Sequence, residues 1–318
     1  MVYDFIYEYT KGHDVRLEGI SGNVDELKRF SNMYTVHTSC FSDYREMLNI
    51  VQPQLVLVFP NDELRQFEIA KACLLADASV LCERPVCHNI AEGEELVELQ
   101  KATGRFILPR YNRRYMPAYI SAKHVIDSGG LGKIYMYNAG FHAGAYSSEN
   151  AFILNHISHH LDIARMLLGE INIRHVLRTA EDDKRVGYNI VINSNNGTIG
   201  NIQSNSFLCG DYPMERVELS GNTCQLIIEN IRTLKYNRPV KRLESGAVDF
   251  MADGGSHILN MNFAQLNNFT YYGFENMIKV FFECDAADKK PTHDMEEALK
   301  TFRLIEEFNC ILKSTKVP

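Results

Sequence analysis

The sequence predicts an α/β protein: a doubly wound parallel sheet followed by an α+β domain with a mostly antiparallel open sheet. Strand-like and helix-like segments alternate in the first half of the chain, and one of these strands is apolar throughout. In the second half, strand-like segments follow one another across short polar turns. We expect residues 1–110 to form the first domain and residues 111–318 the second.

In the first half, Leu55–Phe59 reads LVLVF, an uninterrupted apolar run that is typical of a strand buried on both faces of a parallel sheet. Helix-length segments separate this strand from its neighbours, as in a doubly wound sheet. The predicted strands are residues 15–21, 34–38, 55–59, 79–82 and 105–108, and the predicted helices are residues 24–33, 42–50, 62–75 and 90–103.

Ligands of such sheets bind beyond the carboxyl ends of the strands. Here those ends carry Ser21-Gly22-Asn23, Pro60-Asn61 and Glu83-Arg84-Pro85. A dinucleotide-binding domain of this type opens with a strand, a GxGxxG turn and a helix. Met1–Thr10 already resembles that helix, so we expect an N-terminally incomplete sheet without the first strand and glycine-rich loop. A misassigned start codon, a fragment and a natural truncation are open explanations.

The second half begins with a predicted helix at residues 117–127 and a strand at residues 133–142. The segment between them, Ser128–Lys133, is rich in glycine but lies between a helix and a strand, so we interpret it as a turn. Further predicted strands are residues 173–179, 188–193, 198–207, 216–220, 223–229 and 233–236, and two helices close the chain near residues 260–283 and 294–313.

The helix predicted at Phe152–Gly169 has an apolar stripe and a second, polar stripe formed by Asn155, His159 and Asp162. His159 suits a general acid or base, because an imidazole titrates near neutrality. His156 and His160 have the spacing of helical zinc ligands, but no glutamate lies between them, and we predict no metal. The alternative to catalysis is that the polar side chains of this helix have a structural role, as hydrogen-bonded groups at the boundary between two domains.

The composition restricts the function further. A net charge of −7 argues against a surface for nucleic acid or anionic membranes. The eight cysteines form no CxxC pair, which favours reduced thiols in a cytoplasmic protein. No segment resembles a signal peptide or a membrane-spanning helix.

Five motifs in this order resemble a known family. They are Leu55–Asn61 (LVLVFPN), Val80–Pro85 (VLCERP), Tyr111–Tyr115 (YNRRY), Leu131–Ile134 (LGKI) and Asn155-x-x-x-His159-x-x-Asp162. The chain resembles the glucose–fructose oxidoreductase, inositol dehydrogenase and rhizopine catabolism (Gfo/Idh/MocA) family.

The resemblance implies a Rossmann-like domain that binds NADP or NAD, and a second domain whose open sheet often mediates oligomerisation. It implies hydride transfer at a carbinol carbon of a sugar, sugar derivative or cyclitol, and a homo-oligomer such as a dimer or tetramer. It places the catalytic group at His159, Arg84 and Asn155, where Arg84 replaces the lysine of the family motif. An arginine cannot shuttle a proton, but it can stabilise developing negative charge.

Residues expected to contact the cofactor are Ser21, Gly22, Asn23, Pro60, Asn61, Glu83, Arg84, Pro85 and Asn112. Residues expected to contact substrate are Arg113, Arg114, Tyr115, His142, Asp162 and Tyr272. Gly22 stands where NAD-specific relatives carry an acidic residue, so we expect a preference for NADPH. A non-catalytic relative that acts as a binding or oligomerisation protein is the alternative function.

Overall fold

The computed structural model describes residues 15–25, 27–28, 38–59, 65–208, 214–249, 254–261 and 268–315. Their contacts divide them into two compact units, one within Met1–Arg110 and Met277–Leu299, the other within Tyr111–Asn276 and Lys300–Pro318. The second unit begins at the residue where the sequence predicts the second domain, and the first unit also takes Met277–Leu299. That the two units are independent domains stays a prediction.

The first unit contains parallel strands connected by helices. Strands β1 and β2 pair in parallel, and so do β3 with β4 and β4 with β5. These elements are β1 (Gly19–Ser21), β2 (Ser39–Phe41), α1 (Tyr44–Val51), β3 (Leu55–Val58), α2 (Gln66–Leu75), β4 (Ser79–Cys82), α3 (Ile90–Thr103) and β5 (Ile107–Pro109). The predicted parallel, doubly wound arrangement is therefore confirmed.

Local signals explain the helix ends of this unit. The side chain of Asn89 accepts a hydrogen bond from the backbone N–H of Glu92 at 2.9 Å and caps α3. Gly104 follows the last residue of α3 with φ +74°, which a glycine adopts without a steric penalty. Of the strand predicted at residues 34–38, residues 34–37 lie outside the described residues, and β2 begins at Ser39, directly after Thr38. The prediction for Met1–Thr10 also lies outside them.

The second unit is built on an eight-stranded sheet. Its strand order is β13-β12-β11-β10-β6-β9-β8-β7, and its strand pairs are antiparallel except for β6 with β9. The strands are β6 (Met136–His142), β7 (Ile171–Ala180), β8 (Val186–Ser194), β9 (Ile199–Asn205), β10 (Met214–Ser220), β11 (Gln225–Glu229), β12 (Thr233–Arg238) and β13 (Gly255–Asn260). The predicted mostly antiparallel sheet is confirmed.

One face of this sheet is covered by α4 (Pro117–Asp127), α5 (Glu149–Phe152), α6 (Ser158–Leu168) and the second half of α9 (Met295–Thr315). Two further helices are α7 (Asn268–Tyr271) and α8 (Phe274–Ala286). Most of α8 and the first residues of α9 belong to the first unit. Apolar side chains of α4, α6 and the second half of α9 form one core with alternate residues of the strands. The side chains that alternate with these core residues along each strand lie on the opposite face of the sheet, which is the open face.

One helix prediction is wrong at its start. Asn260 was expected to begin a long helix, but it ends β13, where it pairs with Thr233. The segment Gly255–Asn260 has no strict alternation of apolar residues, so its sequence does not indicate a strand. The strand forms by pairing with β12 and not by burying one face. The helical part begins later, at Asn268.

Within the described ranges, no helix combines the length and the apolar character that a membrane span requires.

The core beneath the sheet of the second unit allows a prediction about the free energy of unfolding. Ile202 lies on β9, is 0% exposed and belongs to the core, whereas Ile120 on α4 is 42% exposed. We expect Ile202→Ala to lower the free energy of unfolding by about 2–5 kcal/mol, because it removes buried methyl groups and leaves a cavity. Ile120→Ala is the matched control and should change it by less than about 0.5 kcal/mol. Urea denaturation followed by circular dichroism measures both, and equal losses would contradict the assignment of Ile202 to the core.

Candidate active site

The histidine helix is not one regular α-helix. After α5, residues Ile153–Ile157 form a π-helical turn, and α6 starts at Ser158. The hydroxyl of Ser158 donates to the carbonyl oxygen of Leu154 at 2.5 Å, which helps to satisfy the backbone where the turn widens. Wide turns of this kind often occur at functional sites. Because Asn155 lies inside the π turn and His159 beyond it, their angular relation differs from the predicted single stripe.

His159 lies against an aromatic side chain of the same unit. It is 4% exposed, and its ring packs edge-on against the ring of Tyr111, with centroids 5.9 Å apart. Tyr111 is itself 5% exposed. The imidazole is therefore held in a defined place, as proton transfer to or from a substrate hydroxyl requires.

Asp162 forms a buried ion pair with Arg114. Its carboxylate accepts hydrogen bonds from Arg114 Nε at 2.7 Å and from Arg114 Nη2 at 2.8 Å. A third hydrogen bond comes from the hydroxyl of Thr301 at 3.0 Å. The structure thus brings Asp162 and Arg114 together, but both carboxylate oxygens are already used. Their predicted contacts with substrate stay predictions.

Arg113 is also paired within the protein. Its Nε donates to Glu215 at 3.0 Å, and the hydroxyl of Tyr119 donates to the other oxygen of the same carboxylate. Burial, and then the neighbouring Glu215 carboxylate, raise the pKa of Tyr119 well above its usual value, so the hydroxyl remains a donor. Burial lowers the pKa of Arg113, but the attraction of Glu215 outweighs it and leaves the pKa raised.

The short 3₁₀ turn Asn112–Tyr115 carries both arginines and is held at its two ends. The side-chain amide of Asn112 donates to the carbonyl oxygen of Tyr272 at 3.0 Å, and that of Asn276 donates to the carbonyl oxygen of Tyr115 at 2.9 Å. The side chain of Tyr272 is 38% exposed, whereas Tyr115 is buried. Because these bonds and the two ion pairs involve every residue of the turn, it is a rigid part of the site.

His142 is not brought together with His159. On β6, Tyr137, Ala139 and Phe141 are buried in the core, so His142 lies on the opposite, open face of the sheet. Its Nδ1 is 2.7 Å from the side-chain nitrogen of Asn205 on the adjacent strand. Partial burial lowers the pKa of His142. Its contact with substrate stays a prediction, which the alternation along the strand does not favour.

The histidines at positions 156 and 160 pack among aromatic rings. The ring of His160 stacks on Phe141, and the ring of His156 stacks on Phe152 with centroids 4.9 Å apart. The hydroxyl of Tyr146 lies 3.3 Å from Nδ1 of His156. Among the residues that the structure describes, no group of three or more His, Cys, Asp or Glu side chains could hold a metal ion.

The loops expected to bind the coenzyme belong to the first unit. Ser21 ends β1, and the backbone N–H of Gly22 donates to the carbonyl oxygen of Phe41 at the end of β2. Ser21, Gly22 and Asn23 therefore lie at the carboxyl edge of parallel strands, as predicted. Pro60 and Asn61, which were expected to contact the coenzyme as well, lie outside the described residues.

A second loop follows β4. The peptide between Arg84 and Pro85 is cis, and Arg84 is 5% exposed. The carboxylate of Glu83 accepts a hydrogen bond from the backbone N–H of Arg84 at 3.0 Å and forms an ion pair with Arg110. Glu83 thus stabilises its own loop, and its contact with the coenzyme stays a prediction.

Known proteins are similar in sequence to the first part of the chain and similar in fold to almost all of it. Residues 6–111 match the model of the GFO_IDH_MocA family, described as an oxidoreductase family with an NAD-binding Rossmann fold. Over this part of the chain, the sequence therefore matches the Gfo/Idh/MocA family. The family model ends at Tyr111 and does not include Met277–Leu299 of the first unit, whereas solved structures show similarity in fold over the second unit as well.

Two relatives are inositol 2-dehydrogenases. The protein from Salmonella paratyphi B is 28% identical over 143 residues, which are 43% of this chain and 42% of the relative. Inositol 2-dehydrogenase 2 from Saccharopolyspora erythraea is 31% identical over 150 residues, which are 46% of this chain and 43% of the relative. The match thus spans less than half of the length of either enzyme.

The solved structures show the fold of almost the whole chain. A dehydrogenase from Chromobacterium violaceum has a TM-score of 0.83 at 14% identity, over 96% of this chain and 90% of that one. Levoglucosan dehydrogenase in complex with NADH and levoglucosan has a TM-score of 0.78 at 16% identity, over 94% of this chain and 89% of that one.

Sequence reasoning missed three residues of this site. Tyr111 is the first residue of the motif Tyr111–Tyr115 but was given no role, although an aromatic residue beside two arginines could have drawn attention to it. Glu215 and Thr301 carry no local signal, because they lie about a hundred or more residues from Arg113 and Asp162 in the chain. Their roles follow only from the fold.

The backbone of the 3₁₀ turn yields a testable prediction. Gly273 has φ +77°, and a Cβ atom there would lie 2.5 Å from the carbonyl oxygen of Asn112 and 2.6 Å from the carbonyl carbon of Tyr115. Gly246 has a similar φ of +82°, but nothing lies within 4 Å of its Cβ position. Gly246→Ala therefore tests backbone strain alone, and Gly273→Ala tests strain plus a clash with the turn.

We expect Gly246→Ala to lower the free energy of unfolding by about 1–2 kcal/mol. Gly273→Ala should lower it by about 1–3 kcal/mol more, since backbone atoms must move. Thermal unfolding of both variants measures the difference. Equal stabilities would show that the turn does not depend on the close approach of Gly273.

Proposed function

We propose that the chain is an NAD(P)-dependent oxidoreductase that transfers a hydride to or from a carbinol carbon of a sugar, sugar derivative or cyclitol. The observation that carries this proposal is the buried His159, held edge-on against Tyr111 beside the anchored 3₁₀ turn. The match to an oxidoreductase family and the inositol 2-dehydrogenases among the relatives support the reaction class.

The proposed chemistry assigns one role to each of three residues. When bound, the nicotinamide accepts or donates the hydride. His159 takes the hydroxyl proton of the substrate in the oxidation and returns it in the reverse direction. Arg84 carries a permanent positive charge and stabilises the negative charge that develops on the substrate oxygen. Asn155 is proposed to orient that oxygen by hydrogen bonding.

The described residues of the first unit fit an anionic dinucleotide. Ser21, Gly22 and Asn23 lie at the carboxyl edge of parallel strands, where ligands of such sheets bind. The carboxylate of Glu83 is paired with Arg110, so the loop before Pro85 does not oppose a negatively charged ligand with a lone charge. We propose that these two loops bind the coenzyme, together with Pro60 and Asn61.

The open face of the sheet suits a second copy of the chain. Apolar side chains on this face are more than a third exposed, among them Leu177, Val191, Ile199, Met214 and Ile258. Burying such a surface against its equal is favourable, and a homodimer or larger homo-oligomer is therefore proposed. The free thiols of the described cysteines fit a reducing, cytoplasmic environment.

Coenzyme choice depends on Gly22. An acidic residue at this place would accept hydrogen bonds from the ribose 2′-hydroxyl of NADH and repel the 2′-phosphate of NADPH. Because Gly22 has no side chain, we expect NADPH to bind more tightly than NADH in a titration that follows nicotinamide fluorescence. Gly22→Asp should weaken the binding of NADPH by about tenfold or more, which corresponds to about 1.4 kcal/mol, because the new carboxylate would repel the 2′-phosphate.

Equal or tighter binding of NADH by the unchanged protein would contradict this preference. If neither coenzyme binds at all, the non-catalytic alternative is favoured.

The proton transfer is tested by His159→Asn. We expect turnover with cyclitols and aldoses to fall by about two to four orders of magnitude, while the Kd of the coenzyme stays the same. His156→Asn is the matched control on the same helix, because its ring packs on Phe152 rather than on Tyr111. Arg84→Lys should keep or raise turnover, since it restores the lysine of the family motif. A fully active His159→Asn enzyme would overturn the assignment.

A further inference from the structure

One carboxylate joins the two segments that meet at the candidate site. Asp162 on α6 is 1% exposed, and it is paired with Arg114 of the 3₁₀ turn, whose side chain is 12% exposed. Two nitrogen atoms of Arg114 reach the two carboxylate oxygens, and Thr301 of α9 reaches one of them. The pair therefore has the bidentate geometry that restricts both distance and orientation.

The same network continues along α6. The hydroxyl of Thr301 accepts a hydrogen bond from Arg165 Nη1 at 2.9 Å, and Arg165 Nη2 donates to Glu170 at 2.9 Å. Asp162 and Arg165 are three residues apart and so lie on one side of the helix. A rotation of α6 about its axis would break the contacts of both residues at once.

His159 precedes Asp162 by three residues, and Tyr111 precedes Arg114 by three residues. The ring contact between His159 and Tyr111 and the ion pair between Asp162 and Arg114 thus join the same two segments one turn apart. The first contact positions the imidazole, but an edge-on ring pair alone tolerates rotation. The second contact supplies the directional bonds.

We propose that Arg114 and Asp162 are positioning residues, which set the rotation of α6 and thereby hold the His159 imidazole against Tyr111. They act through His159 and do not contact substrate. The catalytic consequence rests on the proposed function of His159, whereas the effect on the position of the imidazole does not. Thr301 supports the pair by holding one carboxylate oxygen.

The variants separate charge from geometry. Asp162→Asn removes the charge and one acceptor, Arg114→Lys keeps the charge but loses the planar fork, and the double variant Arg114→Gln/Asp162→Asn removes both charges. A displacement of about 1 Å in an active site can cost about a hundredfold in rate. We therefore expect each single variant to lower kcat by about 10- to 100-fold, with the Kd of the coenzyme unchanged.

The double variant distinguishes positioning from stability. Without an unpaired buried charge, its melting temperature should recover relative to Asp162→Asn. Its kcat should nevertheless stay low, because two neutral amides do not reproduce the fork. If kcat recovered together with the melting temperature, the pair would have a structural role alone and the proposal would fail.

Glu149→Gln is the matched control. Glu149 accepts two hydrogen bonds from Arg178, at 2.7 and 2.9 Å, and one from the hydroxyl of Tyr188. Asp162 likewise accepts two hydrogen bonds from an arginine and one from a hydroxyl. Glu149 lies on α5, before the π turn. We expect its substitution to lower stability but to change kcat by less than about threefold.

The position of the imidazole is measured without any coenzyme. The Hε1 resonance of His159, assigned by its absence from His159→Asn, is sensitive to the adjacent Tyr111 ring. It should move in Asp162→Asn and in Arg114→Lys, and it should stay in place in Glu149→Gln. An unchanged resonance in both site variants would overturn the proposal. If no coenzyme binds to the unchanged protein, the proposed function fails, and the resonance alone decides about positioning.

Discussion

The burial of a charged carboxylate within α6 is the constraint on which the candidate site depends. Removing a carboxylate and a guanidinium from water costs several kcal/mol for each ion, so the pair is tolerated only with near-ideal hydrogen bonds. Asp162 meets this condition through Arg114 and Thr301, which come from the 3₁₀ turn and from α9. The placement of His159 therefore follows from electrostatics as much as from apolar packing.

The two consecutive arginines of the 3₁₀ turn form ion pairs with two different acidic residues. Arg113 reaches Glu215 on β10, while Arg114 reaches Asp162 on α6, so the 3₁₀ turn is joined to the sheet and to the helix that covers it. The sequence predicts that both arginines contact substrate. In the structure each of them is paired with a buried acid, so two consecutive arginines in a sequence are by themselves a weak indication of a ligand contact.

The sequence was sufficient for features that depend on local patterns. The apolar run at Leu55–Val58 correctly indicated a parallel strand, and Gly169 correctly indicated the end of α6, where its φ is +79°. The π turn was not predictable, because it changes the helical period within a few residues. The position of His142 could have been inferred, since alternation along β6 already separates it from Phe141. Partners such as Glu215 and Thr301 depend on tertiary structure and were beyond local reasoning.

The position of β6 in the middle of the sheet has a consequence for the synthesis of the chain. Its two neighbours, β9 and β10, both follow it, and β9 ends only at Asn205, roughly sixty residues later. At a translation rate of about 5–20 residues per second, β6 waits roughly 3–12 s before its first partner strand is complete. During this interval the apolar side chains of Tyr137, Ala139 and Phe141 have no partner strand to pack beside, so β6 cannot take its place in the sheet until β9 has been made.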